Sequence, residues 1–334
     1  MCINNMKQRN EAIDILKGIG IVLVLTAHSL EGFVSQFAYT FHMPLFFIVT
    51  GLFISEYVMA EGVSFTMWWR HRIRKDFTRL IYPALFTIGV ILIVSSLSYI
   101  LKDSYLQDPI ELIWNDASDG KQNHINMLGN LWFLFALFFA KQFFFVLRHL
   151  IGEKMLPVVC LVIGFISVVL RQWYDLSFEV LGGASVLPFV WVGYYLKRHG
   201  GVDNGIPRWS YLTILFWATF IFWGKGRLGA MPSAYYLPYI VSACGGTLFF
   251  YHVSKLISNK TKYLRRILAF LGVYSLILIC APSIETYCFP MQEIIPQLPF
   301  RSIFVIIGKG GWCAIAVYAC LKIPFLSKVF GVKK

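Results

Sequence analysis

Long apolar runs alternate with short polar stretches along almost the whole chain. A run of about 20 apolar residues is long enough to cross the hydrocarbon core of a bilayer as a helix. In lipid each backbone group must be hydrogen-bonded within its own segment, so each run predicts a helix rather than a strand. The pattern predicts ten membrane-spanning helices, at residues 13–30, 40–59, 80–101, 129–148, 155–171, 180–197, 209–224, 237–255, 267–284 and 301–321.

The amino-acid composition agrees with this pattern. Of the 334 residues, 57% are hydrophobic and only 14% are charged, whereas a soluble domain carries about 25% charged residues. We therefore expect an all-α, polytopic integral membrane protein. It should form a single domain over residues 1–334, with no soluble domain and with membrane lipids covering most of its surface.

The net charge of +13 is distributed in short clusters between the apolar runs. With ten spans, 22 of the 30 Lys and Arg residues fall on the side of the N-terminus and seven on the opposite side. Cytoplasmic loops carry such an excess, so both termini are predicted inside the cell and the protein in the cytoplasmic membrane. Scattered clusters do not form a basic groove, so nucleic acid is not expected as a partner. The seven cysteines lie mostly in apolar runs without metal-ligand spacing, and no metal site is predicted.

The first predicted helix carries a line of polar residues on one face. Asp14 lies three residues before Lys17, and His28 follows Lys17 after eleven. Glu31 comes three residues later, so at about 100° per residue all four fall on or near one face. Burying Asp or Lys at the centre of a membrane helix costs about 2.5–3.5 kcal/mol each, which favours a functional role. His28, Glu31 and His42 are expected to meet where the first two helices join. A histidine beside a carboxylate is a candidate general base, and a structural histidine at the interface is the alternative.

The loop MWWRHRIRKDFTRLIYP, between the second and third predicted spans, is rich in cations. Arginine binds phosphate in a bidentate fork, so this loop suits a phosphorylated cofactor from the cytosol. Anionic lipid headgroups would suit it equally well. The candidate phosphate-binding residues are Arg70, Arg72, Arg74 and Lys75.

Aromatic and polar residues on the opposite side of the membrane are candidates for sugar binding. Asn130 and Trp132 could form part of a platform that stacks on and hydrogen-bonds to a sugar, and with His42 they are the predicted substrate-binding residues. Trp is also common at membrane interfaces without any ligand, so interfacial anchoring is the alternative for Trp132.

AIDILKGIGIVLVLTAH resembles the opening of the acyltransferase 3 family of integral membrane acyltransferases. That family's signature is Arg or Lys, ten residues, then His, and Lys17 and His28 fill it here. Further segments resemble the family in its order: FHMPLFFIVTGLFI, RHRIRKDFTRLIYP, LWFLFALFF, LPFVWVGYYLKR and FLGVYSL. Two positions differ from the family pattern. The family more often has Arg where this chain has Lys17. Its late motif is also often followed by a His, near the position of Pro282.

The resemblance implies transfer of an acyl group, usually acetyl, from acyl-CoA to a hydroxyl of a glycan or related cell-envelope molecule. It implies His28 as the base or acyl relay, Lys17 as support for the donor, and the basic loop as the holder of the CoA phosphates. Many relatives carry an added extracytoplasmic domain, so this chain is expected to act alone or with a separate extracytoplasmic partner. A transporter or flippase of a lipid-linked or small polar substrate is the alternative, since intramembrane charge and broken helices also suit transport.

Overall fold

A computed structural model describes residues 10–30, 32–54, 64–100, 126–173, 179–200, 210–224, 232–295 and 301–332. These residues contain helices and connecting turns but no strand, which confirms the predicted all-α class for the part of the chain described. A π-helical turn at Phe77–Ile81 joins α4 to α5, and 3-10 turns at Asn126–Leu131 and Ser233–Tyr235 precede α6 and α11. The helices are α1 Glu11–Ala27, α2 Phe33–Tyr39, α3 His42–Leu52, α4 Phe65–Asp76, α5 Tyr82–Ile100, α6 Trp132–Ile151, α7 Leu156–Leu170, α8 Val180–Ser185, α9 Leu187–Arg198, α10 Ser210–Trp223, α11 Tyr236–Lys260, α12 Lys262–Val273, α13 Ser275–Cys288, α14 Met291–Ile294, α15 Arg301–Lys322 and α16 Pro324–Val329.

The described helices include several that are long and apolar enough to cross a membrane. Large apolar side chains such as Ile93, Phe222 and Tyr318 are exposed on the outside of the bundle, as expected of a surface that lipid covers. The chain is therefore a membrane protein, while the number of ten spans and the inside location of the termini stay predictions. Among the described residues, five helices qualify as spans by length and composition: Phe33–Leu52, Phe65–Leu97, Gly129–Ile151, Ser233–Lys260 and Arg301–Lys322. α12 and α13 count as one further span if they are taken together across their 70° bend.

α1 lies inside the bundle, where it packs against α12, α11 and α3. Its closest approach is to α12, at Gly18 and Gly272. A Cβ on Gly272 would lie 1.8 Å from the carbonyl oxygen of Asp14, and one on Gly18 would lie 2.0 Å from that of Leu268. The two glycines thus let the backbones touch, as small residues commonly do between membrane helices. This contact holds α1 in the centre of the bundle.

α2 and α3 form the second apolar segment, with a kink at Phe41, where φ is −154° and ψ is −18°. Pro44 falls in the first turn of α3, where its missing N–H removes no intrahelical hydrogen bond. Gly51 brings α3 against α9, because a Cβ there would lie 2.1 Å from the carbonyl oxygen of Val190. The kink places the end of α2 and the start of α3 beside the end of α1.

The basic stretch after this segment is helical, so the prediction of a loop there was wrong. Ser64 caps α4 by accepting a hydrogen bond from the backbone N–H of Met67 at 3.4 Å. α4, the π turn and most of α5 run as one continuous helix, Phe65–Leu97. The basic residues therefore lie on a rigid helical extension of a membrane-spanning segment. Single π-helical turns within α-helices are frequent at functional sites.

Candidate active site

α1 ends at a polar cavity, and His28 stands at that end. His28 is the C-cap residue of α1; its backbone N–H donates to the carbonyl of Val24 at 3.3 Å, and its side chain is exposed. The last carbonyl groups of a helix have no intrahelical partner. The His28 carbonyl accepts a hydrogen bond from Nε2 of Gln292 at 3.0 Å, although Gln292 lies 264 residues later. The end of α1 is thus tied to a distant part of the chain.

The cavity beside His28 has a volume of about 970 Å³, and its lining is mostly polar. This volume lies near the upper end of the range for small-molecule sites, about 300–1,000 Å³. Its walls are formed by the end of α1, by α2, and by α14 and the start of α15. Residues whose side chains can hydrogen-bond a ligand there include His28, Ser35, Gln36, Tyr39, Gln292 and Arg301. Among the described residues, no group of three or more His, Cys, Asp or Glu side chains is arranged to hold a metal ion.

The ring of Tyr39 contacts the rings of both His28 and His42. Its ring centroid is 6.1 Å from that of His28 and 5.1 Å from that of His42. His42 is only 1% exposed and does not line the cavity. Its Nδ1 lies 2.6 Å from the carbonyl oxygen of Ala38, so Nδ1 is the protonated donor and Nε2 the acceptor. Within the described part of the chain, that Nε2 has no hydrogen-bond partner. The first two segments therefore bring both histidines beside one tyrosine.

Lys17 lies further along α1, away from the cavity. Its Nζ is 3.0 Å from Oδ1 of Asp14, and the two side chains are 19% and 9% exposed. Asp14 and Lys17 thus form an ion pair, as their spacing of three residues on one helix face allows. Eleven residues of helix separate Lys17 from His28 by about 16 Å. The two residues share a face of α1, but Lys17 does not line the cavity.

α4 divides the four predicted phosphate-binding residues into two groups. The guanidinium of Arg72 lies 5.3 Å from the ring centroid of Phe145, and its Nε lies 4.0 Å from Oδ2 of Asp76. Arg72 therefore points into the bundle, toward α6. The remaining three cations are exposed and available to an anionic group: Arg70, Arg74 and Lys75.

A buried charged cluster surrounds Asp76, at the junction of α4 and the π turn. Asp76 is 2% exposed and pairs with the ammonium of Lys141 on α6. Nε2 of Gln142 donates to Oδ2 of Asp76 at 3.2 Å, and Nε1 of Trp69 donates to Oε1 of Gln142 at 3.2 Å. No pattern in the sequence predicted this cluster, which joins two helices distant in the chain.

Removing Asp76 alone is expected to destabilise the fold. Asp76→Leu leaves Lys141, whose side chain is only 15% exposed, without its carboxylate, which should lower the free energy of unfolding by about 3–5 kcal/mol. The double variant Asp76→Leu/Lys141→Met removes both charges and should recover most of that loss, because a well-packed apolar pair often replaces a buried ion pair. Unfolding of the detergent-solubilised proteins, followed by tryptophan fluorescence, measures both. Equal stability of Asp76→Leu and the wild type would contradict the prediction.

α6 extends from the region of α4, the basic helix, to the region of the cavity. At one end, Gly129 packs against the ring of Tyr287, which lies just before the segment that contacts His28. At the other end, His149 stacks on Phe65 of α4 with ring centroids 3.8 Å apart. A 20-residue helix is about 30 Å long. The basic helix and the cavity therefore lie toward opposite ends of α6.

The remaining predicted site residues lie away from the cavity or outside the described residues. Asn130 sits in the 3-10 turn before α6, and Trp132 is half-buried against the apolar core. Neither lines the cavity. Glu31 lies outside the residues that the structure describes. Of the predicted site residues that are described, only His28 lines the cavity.

Several cavity residues were absent from the sequence prediction. Gln36 and Tyr39 lie three apart on α2, and this short polar face in an apolar segment is a signal that the sequence does contain. Gln292 and Arg301 have no such signal. They reach the cavity because α13 and α15 pack against α1, and local spacing cannot predict that contact.

Residues 10–281 match the acyltransferase domain family. The match includes α1, with its Lys17 and His28 eleven residues apart, and the whole of the basic helix α4. The chain belongs to the acyltransferase 3 family. It is accordingly a membrane protein of that family. The matched region ends before Gln292 and Arg301, so those two cavity residues come from beyond it.

This acyltransferase 3 member is also similar to the nodulation protein NolL of Mesorhizobium japonicum. The two are 25% identical over 242 residues, which cover 67% of this chain and 59% of NolL. The chain thus spans about three fifths of the length of that relative. No solved structure matches this chain.

Proposed function

We propose that this acyltransferase transfers an acyl group, acetyl in the simplest case, from acyl-CoA to a hydroxyl of a cell-envelope or exported glycan. The reaction would take place in the cytoplasmic membrane. The observation that carries the proposal is the exposed side chain of His28 on the wall of a polar cavity of about 970 Å³. The hydroxyl and amide groups of Ser35, Gln36 and Tyr39 suit a sugar, which offers both donors and acceptors. Family membership supports acyl transfer as the reaction.

His28 is proposed as the general base. Its imidazole takes the proton of the acceptor hydroxyl as that oxygen attacks the thioester carbonyl carbon. A new C–O bond forms, the C–S bond of the donor breaks, and the CoA thiolate leaves and receives the proton from His28. An imidazole titrates near neutral pH, so it can both accept and return the proton.

Lys17 and Glu31 are proposed to assist His28 in different ways. Lys17 lies deeper on the same face of α1, about 16 Å from His28, where its ammonium can hold a polar or anionic part of the donor away from the reacting carbonyl. Its ion pair with Asp14 holds that ammonium in place. Glu31 is proposed to orient the imidazole as a hydrogen-bond acceptor.

The donor is proposed to enter from the basic helix. Arg70, Arg74 and Lys75 are exposed on α4 and suit the phosphates of CoA. CoA carries its thioester at the end of a long flexible arm, so its phosphates bind away from the reacting carbonyl. The phosphate site and the acceptor site should therefore lie toward opposite ends of the bundle. α4 and the cavity are separated in this way along α6.

The test uses the purified protein in nanodiscs with radiolabelled acetyl-CoA. Envelope glycan extracted from cells that lack this protein serves as the acceptor. We expect release of CoA thiol and labelled glycan at rates above those of empty nanodiscs. If neither product exceeds that background, acyl transfer is wrong and the transporter alternative gains support.

The exposed cations of α4 are expected to govern the affinity for acetyl-CoA. The variant Arg70→Gln/Arg74→Gln/Lys75→Gln should raise the KM for acetyl-CoA by roughly tenfold or more, because charge-assisted hydrogen bonds to phosphate are lost. The kcat should stay close to that of the wild type, since these residues are distant from His28. The matched control, Lys260→Gln/Lys262→Gln/Arg266→Gln, removes three exposed cations near the α11–α12 turn. If the KM for acetyl-CoA is the same in both variants, α4 does not bind the CoA phosphates, and anionic lipid headgroups remain as its ligand.

A further inference from the structure

A second buried ion pair lies between α13 and α15. Glu285 is 1% exposed and Lys309 is 7% exposed. Nζ of Lys309 lies 3.4 Å from Oε2 of Glu285. A buried carboxylate is costly unless its oxygens are paired or hydrogen-bonded. The hydrogen bond made by the second carboxylate oxygen of Glu285 therefore indicates the structural role of this ion pair.

Oε1 of Glu285 accepts a hydrogen bond from the backbone N–H of Met291 at 2.8 Å. Met291 begins the short helix α14, and the first N–H groups of a helix lack intrahelical partners. The side chain of Met291 sits over Gly308 of α15, since a Cβ on that glycine would lie 2.5 Å from its sulfur. The start of α14 is thus held from both α13 and α15.

The next residue, Gln292, links the restrained start of α14 to His28, the candidate base. Its side-chain Nε2 donates to the backbone carbonyl of His28 at 3.0 Å, and Gln292 also lines the cavity. His28 is the C-cap residue of α1, directly after the last helical residue, Ala27. The direction of its imidazole therefore depends on how firmly this point of the backbone is held.

We propose that Glu285 and Gln292 are positioning residues, which hold the backbone of His28 so that its imidazole faces the cavity. Lys309 neutralises Glu285, Glu285 fixes Met291, and Gln292 fixes His28. The inference rests on the proposed role of His28 as general base. A displacement of about 1 Å at a catalytic group can cost about 100-fold in rate, so the loss of either residue should lower kcat without changing the KM for acetyl-CoA.

The first test is Gln292→Ala. Gln292 is exposed, so the unfolding temperature should stay that of the wild type while kcat falls by about 10- to 100-fold. Glu293→Ala is the matched control. Its side chain is also exposed, it neighbours Gln292 in the sequence, and its kcat should be unchanged. A kcat of Gln292→Ala equal to that of the control would overturn the proposal.

The second test separates the hydrogen bond of Glu285 from its charge. The double variant Glu285→Gln/Lys309→Gln removes both charges but leaves an amide oxygen that can accept from Met291, so it should keep most of the wild-type kcat. Glu285→Leu/Lys309→Leu also removes the pair but cannot accept that hydrogen bond. It should lose kcat to the same extent as Gln292→Ala. Equal kcat values in the two double variants would overturn the role of Glu285.

Hydrogen–deuterium exchange provides a readout that needs no turnover. Exchange of the backbone N–H groups of Ser29 and Leu30, which follow His28, should be faster in Gln292→Ala than in Glu293→Ala. If the wild type does not turn over acetyl-CoA, the proposed function fails, and this exchange still decides whether Gln292 restrains the end of α1. Unchanged exchange in Gln292→Ala would reject the restraint whatever the activity.

Discussion

His28→Ala is expected to lower the rate of acetyl transfer by about 10²–10⁴-fold, the usual contribution of a positioned general base. The imidazole is exposed to the cavity, so its removal should leave the fold and the binding of acetyl-CoA largely intact. The loss should therefore appear in kcat, with the KM for acetyl-CoA within about twofold of the wild type. Transfer of radiolabel from acetyl-CoA to glycan in nanodiscs measures both.

His199→Ala provides the matched control for this variant. His199 is also exposed, and its ring stacks on Tyr195 with centroids 4.1 Å apart. It does not line the cavity. Its removal should change the transfer rate by less than about twofold, as is usual for exposed positions away from a site. Transfer by His28→Ala at the rate of His199→Ala would remove His28 from the mechanism.

A large effect on folding is expected from Gly272→Ala. The added Cβ would lie 1.8 Å from the carbonyl oxygen of Asp14, and a backbone atom on a helix cannot move aside alone. α1 and α12 must separate, so the free energy of unfolding should fall by at least about 3 kcal/mol, the upper end of usual overpacking costs. The thermal unfolding midpoint in detergent measures this change.

Gly310→Ala is the matched control, because it adds the same methyl group to another helix. Nothing lies within 4 Å of a Cβ at Gly310, and alanine favours the interior of a helix over glycine by roughly 0.5–1 kcal/mol. This variant should be as stable as the wild type or slightly more stable. If Gly272→Ala unfolds at the same temperature as Gly310→Ala, α1 and α12 do not pack as described.

Much of the helical content follows from local patterns in the sequence. Apolar runs of bilayer length predict helices because lipid offers the backbone no other hydrogen-bond partner. The regular turn of a helix also placed Asp14 next to Lys17, and the ion pair between them is present. Both inferences need only neighbours within a few residues, which the order of the side chains specifies directly.

The basic residues of α4 mark where local reasoning fails. Their spacing suggests one cluster, yet Arg72 lies against Phe145 and Asp76 while its neighbours stay exposed. The side of α4 that is buried depends on the position of α6, which comes from another part of the chain. Spacing along one helix contains no information about that position.

The cavity shows most clearly which features follow from local sequence and which from tertiary packing. His28 was identifiable because eleven residues of one helix relate it to Lys17, and the family pattern includes that spacing. Gln292 and Arg301, by contrast, reach the cavity only after α13 and α15 have packed beside α1. Helical periodicity therefore determines which residues share a face. Close contacts between helices, such as the one at Gly18 and Gly272, decide which faces meet and what they enclose.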